Sequence, residues 1–130
     1  MKIKFNEEIS KKVVIDTGAS VSCFDGLILE KYISKIDKID KKNDLQSTGI
    51  TETKLNIKKG ILKKIYFGHL KLENYPIVLL DLTHINNMYK MYFSEKKQKK
   101  LQICGLIGSD FLRKFNAIID YKNQFLTLEF

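Results

Sequence analysis

Tryptophan is absent from this 130-residue chain, and proline and arginine occur once each, at Pro76 and Arg113. So little proline excludes a polyproline-rich or low-complexity chain. Cysteine is scarce too: Cys23 and Cys104 are too few for a disulfide framework and too far apart for a metal-ligand pair. Both read as buried thiols. His69 and His84 have no ligand-type neighbours in sequence, so neither a metal site nor any other cofactor is expected. No run approaches the about 20 apolar residues of a membrane span. The start, Met1 to Glu8, has no apolar core of a signal peptide. The expectation is no membrane, and a cytoplasmic protein as written, or a secreted or periplasmic one if an N-terminal segment was removed. The shortage of arginine also bears on the charge. The chain carries 23 basic and 15 acidic residues, a net +8, and the lysines are spread along its whole length. Phosphate and base recognition favours clustered arginine, so a nucleic-acid partner is disfavoured, although the charge can draw acidic substrates in a salt-dependent way.

What is present is 44% hydrophobic and 29% charged, the balance of a soluble globular domain, and 1–130 reads as a single one. Its most informative stretch is Val13-Val14-Ile15-Asp16-Thr17-Gly18-Ala19-Ser20. The β-branched run predicts a buried strand that carries Asp16 to its end. A carboxylate there is costly unless something shares its charge or proton. Gly18 permits a sharp turn and close approach, and Thr17 can hydrogen-bond locally. Taken alone, Asp16 could equally be a turn or capping aspartate. A second landmark comes late: Leu106-Ile107-Gly108, then Ser109-Asp110-Phe111-Leu112. It reads as a buried strand with glycines at 105 and 108, followed by a helix to Phe115 capped by Ser109 or Asp110.

Between the landmarks, alternation and turn chemistry predict mostly strands. Residues 2–5 and 11–16 form the first two, and 21–24 a third. Asp25 caps a short helix over 27–33, and 34–44 is a loop or lysine-guarded edge strand. Residues 45–59 read as a hairpin with Gly49 near its tip. Strands follow at 61–67 and 75–82, joined through Gly68-His69, with Pro76 near the start of the second. Thr83 caps a helix over 84 to about 100, and strands at 117–121 and 124–129 close the chain, with Asp120 structural.

The Asp-Thr-Gly-Ala-Ser loop after an apolar strand, with the later hydrophobic-hydrophobic-glycine segment and helix, resembles the retropepsin-like aspartic proteases. The similarity spans most of the chain. It implies a mostly β fold, a closed barrel with one or two short helices, assembled as a homodimer. It also implies an aspartic endopeptidase acting on peptide or protein substrates, without metal or cofactor. Asp16 would be catalytic; Thr17, Gly18, Ala19 and Ser20 would support its loop. Leu106, Ile107 and Gly108 would form the structural motif beside it, and Thr48, Gly49 and Ile50 the substrate-covering flap. The flap lacks the several glycines of retroviral members, and the 84–100 stretch is longer than in a minimal one. The alternative is the same fold without catalysis, serving in dimerisation or peptide binding.

Overall fold

Strand β1 (Lys2–Phe5) runs antiparallel to β2 (Ile9–Ile15), with Phe5 opposite Ile9 and a tight turn in which Asn6 and Glu7 have φ of 49° and 67°. The structure, a computed structural model, describes residues 1–7, 9–38, 57–92 and 102–130. After β2 come β3 (Cys23–Asp25), a single 3₁₀ turn (Glu30–Tyr32) and β4 (Ile33–Lys38). Then follow β5 (Lys58–Phe67), β6 (Leu70–Leu80), helix α1 (Thr83–Tyr92) and β7 (Ile103–Ile107). Helix α2 (Ser109–Lys114) and the hairpin β8 (Ile118–Asp120) and β9 (Phe125–Thr127) complete the order.

The large sheet runs β1-β2-β7-β3-β6-β5-β4, and a further pairing of β1 with β5 closes six of these strands into a barrel. Closure removes the exposed edges of an open sheet. β4 is left outside the ring and, among the described residues, pairs only with β5, as the lysine-bearing edge its sequence suggests. The barrel is filled by Ile3, Phe5, Val13, Phe24, Leu62, Ile65 and Ile107. α2 closes the core with Phe111 and Phe115, whose tilted rings meet at 4.7 Å between centroids while Phe111 meets Phe67 at 4.5 Å. Among the described residues no helix is long and apolar enough to cross a membrane.

Several local expectations change. The helix expected over 27–33 contracts to one 3₁₀ turn, because the chain must reverse at once to enter β4. That turn has no side-chain cap: Asp25 instead holds the bend ahead of it, accepting the N–H groups of Leu27 and Ile28 on Oδ1 while Oδ2 accepts from Leu82. Pro76 lies inside β6 rather than near its start. Within β6, β3 pairs with Val78–Leu80, so at Pro76 one side of the strand has no neighbour among the described residues to demand an N–H. At α1 the side chain that accepts from the Thr83 N–H belongs to Asp81. That bond, together with one from the Thr83 hydroxyl, lowers the Asp81 pKa. α1 ends at Tyr92, and the expected remainder to about residue 100 lies outside the described residues.

Candidate active site

Strand β2 delivers Asp16. Its partner is β7, parallel, with Val14 opposite Leu106 and Ile15 opposite Ile107. The two landmarks, about ninety residues apart in sequence, are therefore neighbours in one sheet, and both chains leave it at the same end. The Asp16 N–H continues the ladder by donating to the Ile107 carbonyl at 2.9 Å. Beyond that bond the chain turns. The Gly18 N–H donates to Asp16 Oδ1 at 3.0 Å, and the Ala19 N–H to the Asp16 carbonyl at 3.2 Å. A Cβ on residue 18 would sit 3.3 Å from Asp16 Oδ1, so a side chain there would crowd the carboxylate. Asp16 is half-buried in the single chain, whereas Thr17, Gly18 and Ser20 are exposed.

The loop is clamped from the other landmark. The Ala19 carbonyl accepts both the Ser109 N–H (2.8 Å) and the Ser109 hydroxyl (2.9 Å). Gly108 passes so close beneath that a Cβ would lie 2.7 Å from the Ala19 oxygen and 2.9 Å from the Val21 carbonyl carbon. Both are backbone atoms and cannot swing away. The Gly108 N–H donates to Ser22 Oγ at 2.8 Å. Ser22 in turn donates its N–H (2.8 Å) and hydroxyl (2.6 Å) to Asp110 Oδ1. The chain Gly108–Ser22–Asp110 thus ties the loop to the first turn of α2. Charge-assisted bonds of this length are the stronger kind.

The sequence expects Ser109 or Asp110 to cap α2, and neither side chain does. The N-cap position is Gly108, without a side-chain cap, and the Asp110 carboxylate reaches across to Ser22. Ser22 itself is not evident from sequence, since it sits inside an apolar alternation that reads as strand. A lone serine facing no expected turn was the only available signal. Ser20 makes no hydrogen bond to Asp16 among the described residues. The stretch bearing Thr48, Gly49 and Ile50 lies outside the described residues. The strands on either side of it in sequence, β4 and β5, pair antiparallel, with Lys38 opposite Lys58.

Cys23 and Cys104 lie on adjacent strands but out of register, Cys23 opposite Leu106. Burial pushes the Cys23 thiol up to about 11, with the Asp110 and Asp16 charges adding to the rise. Beside the loop an apolar hollow of about 250 Å³ is bounded by Val21, Phe24, Tyr75, Ile77, Val78 and Phe111, with Ser22 and Asp110 at its polar edge.

The family model described as "Aspartyl protease" matches residues 1–111. No curated protein matches the sequence. Among solved structures, the chain is similar to the retroviral protease-like domain of Ddi1 from Leishmania major. The TM-score is 0.53 at 14% identity, over 98% of this chain and 84% of that one. That likeness is one of fold, the retropepsin-like barrel. With the family match over most of its length, both landmarks side by side and a barrel of this topology, the chain belongs to the aspartyl protease family.

Proposed function

We propose that this protein is an aspartic endopeptidase whose active site forms between two copies of the chain. The observation that carries the reading is the state of Asp16: a half-buried carboxylate at the end of a core strand, on a loop pinned by Gly108, Ser109 and Asp110. One carboxylate cannot act as acid and base together. Two Asp16 side chains related by a twofold axis can. Like charges about 3 Å apart cannot both ionise, so the pair shares one proton, the pattern established for aspartic proteases. The ionised Asp16 takes a proton from water as it attacks the scissile carbonyl, while the protonated one donates to the carbonyl oxygen. The tetrahedral intermediate then collapses as a proton passes to the leaving amine.

The remaining parts have definite roles in this scheme. Thr17, exposed in the single chain, locks the two loops across the axis. Gly18 and Ala19 keep the approach to Asp16 free of bulk. Residues 48–50 cap the hairpin carried on β4 and β5, which adds to an extended peptide as a strand and excludes water. The hollow beside Val21 and Tyr75 takes an apolar substrate side chain. The exposed apolar side chains of Ile118, Tyr121, Phe125 and Phe130 on and around the terminal hairpin supply the surface buried between copies.

The test compares wild type with Asp16→Asn on a mixed peptide library from acid to neutral pH. Cleavage by wild type and at least a thousandfold loss in the variant is the expected result. Equal product from the two proteins overturns the reading, as does wild-type cleavage by a strict monomer.

A further inference from the structure

The hollow of about 250 Å³ beside the Asp16 loop takes its shape from the point where that loop leaves the sheet. β3 begins at Cys23, opposite Val78, so Tyr75, Pro76 and Ile77 of β6 have no strand beside them on that side among the described residues. Residues 21 and 22 turn instead toward α2, where Asp110 holds Ser22 by two hydrogen bonds. The space between β6 and that bridge is floored by the buried side chains of Phe24, Phe67, Ile77 and Phe111.

The rim of the hollow is polar, and on the α2 side it is acidic. Asp110 is exposed and commits only Oδ1 to Ser22; among the described residues Oδ2 accepts no hydrogen bond and the carboxylate has no ion pair. Lys114 stands four residues on in α2, a spacing that suits an ion pair. Its Nζ lies instead over the rings of Tyr75, at 5.0 Å, and Phe115, at 5.6 Å. Half-buried Tyr75 brings a hydroxyl with no hydrogen-bond partner among the described residues, and burial first, then the Asp110 charge, raise its pKa. Carboxylate and phenol therefore look into the same space. Lys59 also lines the hollow, but from β5. β6 lies between β5 and β3, about 10 Å from one to the other, so the ammonium and the carboxylate stand on opposite banks.

The hollow is within reach of a peptide held at Asp16. The Asp16 N–H bonds to the Ile107 carbonyl, and the next N–H, that of Gly108, bonds to Ser22 Oγ; at most about 8 Å separates the Asp16 nitrogen from that hydroxyl. An extended peptide advances about 3.3 Å per residue, so its second or third residue from the scissile bond meets the hollow.

We propose that this hollow selects a lysine or arginine side chain of the substrate, two or three residues from the scissile bond, with Asp110 as the specificity-determining residue. The inference rests on the endopeptidase reading and narrows it. The apolar stem lies along the aromatic floor, and the cation donates to Asp110 Oδ2 and to the Tyr75 hydroxyl oxygen. A wholly apolar side chain fills the floor and leaves the carboxylate unanswered.

Cleavage sites in a mixed peptide library, read by mass spectrometry, followed by kcat/KM for matched peptides with arginine, alanine or glutamate at the selected position, test the proposal. Wild type should favour arginine over alanine at least tenfold. Asp110→Asn, which keeps an oxygen for Ser22 and loses the charge, should bring that ratio close to one; Tyr75→Phe should lower it by a smaller factor. Glu30→Gln, which removes a carboxylate elsewhere on the surface, should leave it as in wild type. No preference in wild type overturns the proposal, a readout that needs no variant to fold, and so does a ratio unchanged in Asp110→Asn or lowered equally in Glu30→Gln. Preference for glutamate overturns it in favour of Lys59. Fluorescence anisotropy of the same labelled peptides with Asp16→Asn reads binding without turnover and separates the two readings. Tighter binding of the arginine peptide there, with no cleavage by wild type, supports the hollow and overturns the endopeptidase alone; no binding of any peptide and no cleavage overturns both.

Discussion

Asp110 stands in the first turn of α2, where a negative charge suits the helix dipole, but Ser22 takes both contacts to Oδ1. Ser22→Ala removes a hydroxyl that serves Gly108 and Asp110 at once. We expect it to cost about 1–3 kcal/mol, because the buried Gly108 N–H loses its acceptor, whereas the exposed Asp110 carboxylate keeps the backbone N–H of residue 22 and can turn to water, measurable as a lower midpoint in urea unfolding. Gly108→Ala should be worse, since the new methyl meets the Ala19 and Val21 backbone inside 3 Å; overpacking of this kind typically costs about 1–3 kcal/mol and occasionally more. A pH effect belongs at this scale as well. Burial raises the Cys23 thiol to about 11 and the Cys104 thiol to about 12 from the ordinary thiol value of 9.0. Above pH 9 the unfolded chain gives up these protons while the folded one keeps them, so the folded state binds more protons and stability falls as pH rises. The contribution is complete below pH 9 and lost through pH 11 to 12. The slope is at most about 1.4 kcal/mol per pH unit for each thiol, and urea titrations at pH 8 and 10 of wild type against Cys104→Ala should show it flattened in the variant.

Elements depend on a few polar anchors that cross between them. Asn86, buried in α1, donates from Nδ2 to the Ile103 carbonyl at 3.1 Å and accepts the Ile103 N–H on Oδ1 at 2.9 Å. It thereby fastens the helix to the first residue of β7. Asn86→Leu should lower stability by about 1–3 kcal/mol by orphaning both backbone groups, and hydrogen exchange should localise the loss to α1 and the start of β7. Strand positions were legible from alternation and turn residues. The Gly68-His69 turn, with Gly68 at φ 59°, joins β5 and β6 where expected. Helix lengths and caps were less so. The segment after Asp25 has helix-compatible composition, but its carboxylate is drawn toward Leu82 by a strand far along the chain, and only one 3₁₀ turn remains. Asp120 was read as structural, and it holds the β8–β9 turn by accepting from the Asn123 backbone and amide.

At the scale of the whole molecule, the proposed reaction requires two chains. Specific activity per chain should therefore fall on dilution below the dissociation constant, and sedimentation should show the mass halving over the same range. Phe125→Lys, which places a charge on a 68% exposed apolar position of the terminal hairpin, should shift that transition to at least tenfold higher concentration while leaving the barrel folded. Unchanged mass and activity in this variant would place the contact between copies elsewhere.

The sequence alone carried the strand pattern, the two landmark motifs and hence the kind of barrel, because these depend on local periodicity and on residue types that few backbones require together. Proximity was a tertiary matter: parallel pairing of β2 with β7 set Asp16 beside Ile107 and made Gly108 the residue with no room for a side chain. The Ser22–Asp110 bridge belongs to the same class: it joins groups far apart along the chain, and no local pattern encodes such a meeting.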